Sequence, residues 1–170
     1  MNRTPEQIAH LRTTADWLAE GAPHVQLSED HVLAGFDFSA WIKSAPNTCG
    51  TTGCIAGAIV QFAYPEVTPG KKVSIFALKM DLPEIEGVSK DDELRIPEHA
   101  AYLTGLSEDE MALLFYPFSL AYYDDGMPAE YADSEDHYPL GWTHALPPKA
   151  IAKVLYHFIE TGKIDWEIAR

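Results

Sequence analysis

Helix start and stop signals are the feature of this sequence that most restricts its fold. The residues TPEQ at positions 4–7 have the form of a capping box, with proline at the first helical position. Apolar side chains recur at helical spacing from Ile8 to Leu18, and Gly21 supplies a stop. Together these signals predict a helix over roughly residues 5–20.

A second helix is predicted around the cysteine segment. From Thr51 or Thr52 onwards, the run GCIAGAIVQFAY has helical length and stops before Pro65. Either threonine hydroxyl is a suitable helix cap. Gly53 and Gly57 would lie four residues apart on one face of this helix. We interpret that face as a packing surface rather than a ligand site.

A pair of short helices is predicted in the second half of the chain. Pro97 opens the segment EHAAYLTG, Gly105 closes it, and Ser107 with Glu110 forms another capping box before MALLFY. We expect an αα-hairpin in the core, because a DNA-reading helix-turn-helix needs positive charge and this segment has no Lys or Arg.

The remaining segments complete a mainly helical prediction. A last helix starts near residues 147–148, ends at Gly162 and carries on one face the apolar residues Ile151, Val154, Leu155, Phe158 and Ile159. Residues 117–147 form a long aromatic loop. The segment AGFDFSAW is a short strand, an extended lead-in or a single capped turn, and VSIFALKM is a strand or a helix. We predict a mainly α, compact single domain over residues 1–170, in which these segments allow a small two- or three-stranded β piece. The sequence carries no signature of a parallel sheet.

Composition excludes several classes of protein. The 170 residues include 26 Asp and Glu against 12 Lys and Arg, a formal net charge of −14. Phosphates would repel such a surface, so we expect no direct nucleic-acid binding and no attachment to anionic membranes. No run approaches the ~18–20 apolar residues of a membrane span, and the first residues do not form a secretory signal. The expected location is the cytoplasm.

The negative charge is concentrated in one part of the chain. Between Arg95 and Lys149 there are 53 residues without a Lys or Arg, and ten of them are acidic. The ten acids are Glu98, Glu108, Asp109, Glu110, Asp124, Asp125, Glu130, Asp133, Glu135 and Asp136. Pairs within the stretch cannot cancel this charge, which predicts a local negative potential. Three of the acids occupy a first helical turn, where the helix dipole favours anions.

The acidic, aromatic loop within this stretch allows three interpretations. It is a solvated loop, a docking surface for a basic partner, or a hard-cation site with Asp124, Asp125 and Asp133 as ligands. The cation site fits no EF-hand spacing. Docking surfaces favour aromatic anchors inside a charged rim, and an acidic patch can also imitate the phosphates of DNA. The residues expected to bind a partner are Tyr122, Tyr123, Asp124, Asp125, Tyr131, Asp133, Glu135 and Asp136.

The cysteine segment supports an alternative. Cys49 lies just before the predicted helix, where the helix dipole would stabilise a thiolate, and CGTTGC loosely resembles the papain-type Cys-Gly-Ser-Cys-Trp. His137 or His144 would be the base, although the aromatic residue is missing and the second cysteine is displaced. The other interpretation is structural, with Cys54 as a small buried residue. A zinc site or a Cys49–Cys54 disulfide fits the spacing poorly.

Several short clusters resemble those of a known group of proteins. They are the motif CGTTGCIAG at residues 49–57, FSAW at 38–41, LS with LFYP at 106–117, and TGKIDW at 161–166. They are similar to a loose family of small uncharacterised proteins carried by phages and bacteria. The resemblance implies an intracellular accessory protein, made by a phage to engage a host component, and implies no catalytic residue.

The sequence therefore leads to one preferred function and one alternative. The preferred function is an acidic, non-enzymatic accessory protein without a cofactor or metal, which binds and modulates a host macromolecule, most readily a protein with a basic surface. The alternative is a cysteine-dependent hydrolase or transferase with Cys49 as nucleophile. The sequence does not indicate the oligomeric state.

Overall fold

A computed structural model describes residues 3–37, 42–44, 50–70, 78–91, 95–115 and 146–169. Its helices within these ranges are α1 (Pro5–Ala19), α2 (Ile55–Ala63), α3 (Arg95–Thr104), α4 (Glu108–Phe115), α5 (Pro148–Thr161) and a 3-10 helix (Trp166–Ala169). Its strands are β1 (Val25–Ser28), β2 (His31–Phe36), β3 (Ile42–Ser44) and β4 (Thr51–Gly53). The prediction of a mainly α fold with a small β piece is confirmed, and the sheet in these ranges has four strands where two or three were expected.

The predicted capping boxes form. Thr4 Oγ1 accepts a hydrogen bond from Gln7 N at 3.2 Å, and Gln7 Oε1 accepts one from Thr4 N at 2.9 Å. At the start of α4, Ser107 and Glu110 exchange the same pair of bonds at 2.9 and 3.2 Å. Helix α5 ends at Gly162, which is in the left-handed conformation. These helix ends follow from hydrogen bonds between neighbours in the sequence.

The prediction of a helix from Thr51 or Thr52 onwards is partly wrong, because this helix begins later than expected. Thr51 and Thr52 belong to β4, and α2 begins at Ile55 with Cys54 at its N-cap position and no side-chain cap. Gly53 is therefore in a strand, not on a helix face with Gly57. The β-branched threonines favour the extended backbone, and β4 pairs on both sides.

The sheet is mixed and has the strand order β1-β2-β4-β3 among the described residues. Strands β1 and β2 pair antiparallel, β2 and β4 pair parallel, and β3 and β4 pair antiparallel. The parallel pair corrects the expectation drawn from the absence of a parallel-sheet signature, because β4 returns beside β2 only after a connection through β3. Gly50 leads into β4 at φ +132°, and a Cβ there would lie 2.7 Å from the Val32 carbonyl oxygen.

A buried polar network joins the sheet to α2. His31 is 1% exposed, with Nδ1 3.0 Å from the Pro65 carbonyl oxygen and Nε2 3.0 Å from Gln61 Oε1. Gln61 Oε1 also accepts a hydrogen bond from the Thr51 hydroxyl, and Gln61 Nε2 donates to the Gly57 carbonyl oxygen at 3.2 Å. Buried polar groups need such partners, so this network fixes α2 over β2 and β4.

The main core lies where α1, α2 and α5 meet. Its largest fully buried side chains from these helices are Leu11, Leu18, Ile55, Ile59, Ile151, Leu155 and Phe158. The apolar face predicted for α5 is therefore confirmed, except that Ile159 is only partly buried. Helices α3 and α4 pack beside this core, with Leu114 fully buried, which confirms the predicted αα-hairpin.

Candidate docking groove

The residues that the sequence singled out for function lie outside the described residues. The expected partner-binding residues are Tyr122, Tyr123, Asp124, Asp125, Tyr131, Asp133, Glu135 and Asp136, and the alternative catalytic residues are Cys49, His137 and His144. The docking, cation-binding and nucleophile hypotheses for these positions therefore stay predictions. The structure does describe residues next to these positions, namely the cysteine segment from residue 50 onwards and the acidic stretch up to residue 115.

Cys54 is a structural thiol. It is free, 3% exposed and part of the main core, which confirms its interpretation as a small buried residue. Burial raises the pKa of the Cys54 thiol to about 12, although hydrogen bonds from backbone groups at Gly57 and Ala56 act in the opposite direction. At neutral pH this thiol is protonated and therefore a poor nucleophile.

Four acids of the cation-free stretch lie on the described helices α3 and α4. Glu110 is paired, because Arg3 donates to its carboxylate at 2.5 Å. Although partial burial acts to raise it, hydrogen bonds from Arg3 and Ser107 and the charge of Arg3 leave the pKa of Glu110 below its usual value. The stretch is thus partly neutralised from the N-terminus. Glu108 and Asp109, in the first turn of α4, are exposed.

A groove opens between the α3–α4 hairpin and the turn at residues 86–88. Its volume is about 430 Å³. Three glutamates line it: Glu86 from the turn, Glu98 from α3 and Glu108 from α4. None of its described lining residues is a Lys or an Arg, so the groove is acidic. We call this feature the acidic groove.

The interior of the acidic groove is apolar. Val88, Ala101, Leu106 and Met111 contribute half-buried side chains, and Tyr102 is 58% exposed. Among the described residues, large hydrophobic side chains exposed to this extent are rare. An exposed aromatic ring beside carboxylates is typical of residues that anchor a partner.

Local hydrogen bonds hold both walls of the acidic groove. Glu98 accepts a hydrogen bond from the backbone N–H of Ser89, which ties the turn to α3. Gly105, at φ +63°, makes the tight connection from α3 to α4, and the capping box of Ser107 orients the first turn of α4. Glu86 and Glu108 remain exposed at the rim.

A second, smaller hollow near His99 offers no comparable site. It has about 10 Å³ of space, about the room of one water molecule. The buried His99 ring lies beside it, with Nδ1 and Nε2 each 3.0 Å from a backbone carbonyl oxygen, those of Arg95 and Pro83. Both ring nitrogens therefore face backbone carbonyl oxygens, and we interpret His99 as a structural residue that fastens α3 to the preceding loop.

The described part of the chain lacks two further features. Its residues contain no group of three or more His, Cys, Asp or Glu side chains placed to hold a metal ion. None of its helices has both the length and the apolar character needed to cross a membrane.

The chain matches no protein-family model, no curated protein and no solved structure. The resemblance to small phage and bacterial proteins therefore stays a prediction.

Sequence reasoning counted Glu98 and Glu108 among the acids of the stretch but missed the acidic groove. Glu86 lies outside that stretch, and Tyr102 had no feature that distinguished it from a core aromatic. The groove arises because a turn preceding α3 packs against the hairpin, and that contact joins residues from three separate segments. The one available signal was the high density of acids around the α3–α4 connection.

Proposed function

We propose that this protein binds another macromolecule, namely a protein with a basic surface. The observation that supports the proposal concerns the stretch without Lys or Arg between Arg95 and Lys149. In its described part, Glu108 and Asp109 stay exposed, while Glu110 forms an ion pair with Arg3. A net charge of −14 on 170 residues adds a general attraction for cationic surfaces.

Charge of this kind acts mainly on the rate and selectivity of association. Opposite charges steer two proteins together and like charges reject wrong partners, with effects that weaken as salt shortens the range of the field. We expect association to be fast at ~50 mM salt and clearly weaker at ~500 mM. As a further part of the proposal, the resemblance suggests a phage-derived accessory protein that engages a host component in the cytoplasm.

The test compares charge reversal at two places with the same total charge. The variant Glu108→Lys/Asp109→Lys changes the exposed first turn of α4, and Glu29→Lys/Glu160→Lys changes two exposed acids elsewhere by the same amount. Binding partners are captured from a bacterial lysate at low and high salt, identified, purified and titrated against all three proteins. We expect the first variant to weaken binding more than the second.

Two results would contradict this function. One is a partner whose affinity is unchanged between low and high salt. The other is an equal loss of affinity in the two charge-reversal variants. Equal losses would mean that affinity depends on the net charge of the protein and not on the surface at the start of α4. Thermal unfolding of each variant checks that the fold is retained.

The cysteine-dependent hydrolase or transferase stays an alternative prediction. In the described residues, no observation favours it, because Cys54 is buried and Cys49 lies outside them. It predicts that Cys49 is alkylated near pH ~6 much faster than a thiol of ordinary pKa ~8.5. Slow alkylation of Cys49 would contradict it.

A further inference from the structure

We infer that the acidic groove is a docking site for a segment of the partner in which lysines or arginines flank apolar side chains. This inference rests on the proposed function and deepens it, because it names both the surface and the chemistry of its ligand. The two features that carry it are the apolar interior and the three glutamates of the groove.

The apolar interior indicates what the middle of the segment must supply. Tyr102 leaves 58% of its surface exposed beside the half-buried side chains of Leu106 and Met111. Covering this ring removes apolar surface from water, at roughly 25 cal/mol for each Å². The volume of about 430 Å³ lies within the ~300–1,000 Å³ typical of ligand pockets, and the open side admits a chain segment.

The glutamates indicate what must flank the apolar side chains. Glu86, Glu98 and Glu108 come from three different segments and meet around one groove, with no Lys or Arg among the described residues that line it. An ammonium or guanidinium group placed there would form charge-assisted hydrogen bonds with the carboxylates. An acidic segment would be repelled by these carboxylates, and a purely apolar segment would form no charge-assisted hydrogen bond with them.

The same charges disfavour two other occupants. A second copy of this chain would bring another −14 charge to the contact. Residues 116–145 of the chain itself contain no Lys or Arg, so they cannot supply the flanking cations. Of these three occupants, a basic partner is the one whose charge matches the acidic groove.

The groove is also prepared for binding. The Ser89–Glu98 hydrogen bond fixes one wall, and the Ser107–Glu110 capping box fixes the other. Walls that are already ordered lose little conformational entropy when a ligand binds, which favours affinity.

The experiment uses the full-length protein and a fluorescein-labelled peptide in which lysines flank leucines. The comparison peptide carries glutamate in place of every lysine. Binding is followed by fluorescence anisotropy at low salt, and amide chemical shifts locate the bound peptide. We expect the lysine peptide to bind, to shift the amides of Ala101, Tyr102 and Met111, and to lose affinity with salt.

Variants test the two features separately. Tyr102→Ala removes the exposed ring, and Glu86→Lys/Glu108→Lys reverses two rim charges. We expect each to weaken lysine-peptide binding about tenfold or more. The matched control Glu29→Lys/Glu160→Lys has the same net charge as the rim variant, and we expect less than a threefold change, as for a distant charge.

The outcomes separate this inference from the proposed function. If the lysine peptide binds in a salt-dependent manner but Tyr102→Ala has no effect and the shifts lie elsewhere, the acidic groove is not the site, while the function stands. If neither the peptide nor any basic protein binds, the function itself fails. A dimer that Tyr102→Ala dissociates would identify a second copy as the occupant and overturn the inference.

Discussion

The guanidinium of Arg3 joins the N-terminus of the chain to Glu110, 107 residues away in sequence. The same side chain donates through Nε to the Thr104 carbonyl oxygen at 3.2 Å and lies 4.3 Å from the centre of the Phe158 ring. One residue therefore contacts α3, α4 and α5 at once. Because both side chains of the ion pair are largely shielded from solvent, with exposures of 10% and 23%, the contact differs from an ordinary surface pair.

Replacing Arg3 should loosen this junction. Arg3→Gln removes the ion pair and the contact with the Phe158 ring, and we expect the free energy of unfolding to fall by about 1–2 kcal/mol. Urea denaturation followed by circular dichroism measures the change. Arg12→Gln, at an exposed position of α1, is the matched control and should change stability by less than about 0.5 kcal/mol. Equal effects of the two variants would contradict the role of Arg3.

The same ion pair should make stability depend on pH in the acid range. The pKa of Glu110 is lowered in the folded protein, so the unfolded chain binds this proton more readily. The contribution of the Glu110 carboxylate to the free energy of unfolding is fully present above the pKa of an unfolded glutamate. It is lost as the pH falls through the lowered pKa of Glu110 in the folded protein. We expect Glu110→Gln to show a shallower loss of unfolding free energy than wild type between about pH 5 and pH 3, measured by urea denaturation at each pH. Parallel curves would contradict this expectation.

Gly50 should not tolerate a side chain. Its φ of +132° is unfavourable for other residues, and a Cβ would meet the Val32 carbonyl oxygen at 2.7 Å and the Ala34 Cβ at 3.2 Å. We expect Gly50→Ala to lower the unfolding free energy by about 3 kcal/mol or more. Gly162→Ala is the control, because Gly162 also has a positive φ but a Cβ there would meet no atom within 4 Å. We expect this variant to lower the free energy of unfolding by only about 1 kcal/mol. Thermal unfolding of both variants distinguishes Gly50, with its clash and its φ of +132°, from a glycine that needs only the left-handed conformation.

Cys54 should be protected from alkylation in the folded protein. In the Cys49→Ser variant, Cys54 is the remaining cysteine of the sequence. With a pKa of about 12, its thiolate fraction near pH ~8 is on the order of a thousandfold below that of an ordinary thiol. We expect iodoacetamide, followed by mass spectrometry, to modify it only after unfolding in urea. Rapid alkylation of the native variant would show that the thiol is accessible.

Local signals in the sequence were sufficient for the helices that begin with clear caps. Thr4 with Gln7 and Ser107 with Glu110 are neighbours along the chain, and their hydrogen bonds form within one helical turn. Gly162 likewise ends α5 by its own backbone conformation. The periodicity of the apolar residues then indicated which face of α5 is buried.

The start of α2 could not be read in this way. Thr51 and Thr52 have capping hydroxyls, and nothing nearby in the sequence indicates that they pair instead with β2 and β3. Thr51 also donates to Gln61, a contact that requires the sheet and α2 to be in place. The competing extended structure is therefore stabilised by residues distant in sequence, which local propensity does not report.

The sequence alone determined the excess of negative charge, its concentration between Arg95 and Lys149, and the helices whose caps lie within a few residues. Only the tertiary structure decided that Arg3 neutralises Glu110, that Cys54 is buried, and that Glu86 meets Glu98 and Glu108 around an exposed tyrosine. The physical reason is range: caps and periodicity act within a few residues, whereas burial, ion pairing and the shape of a groove depend on segments that only packing brings together.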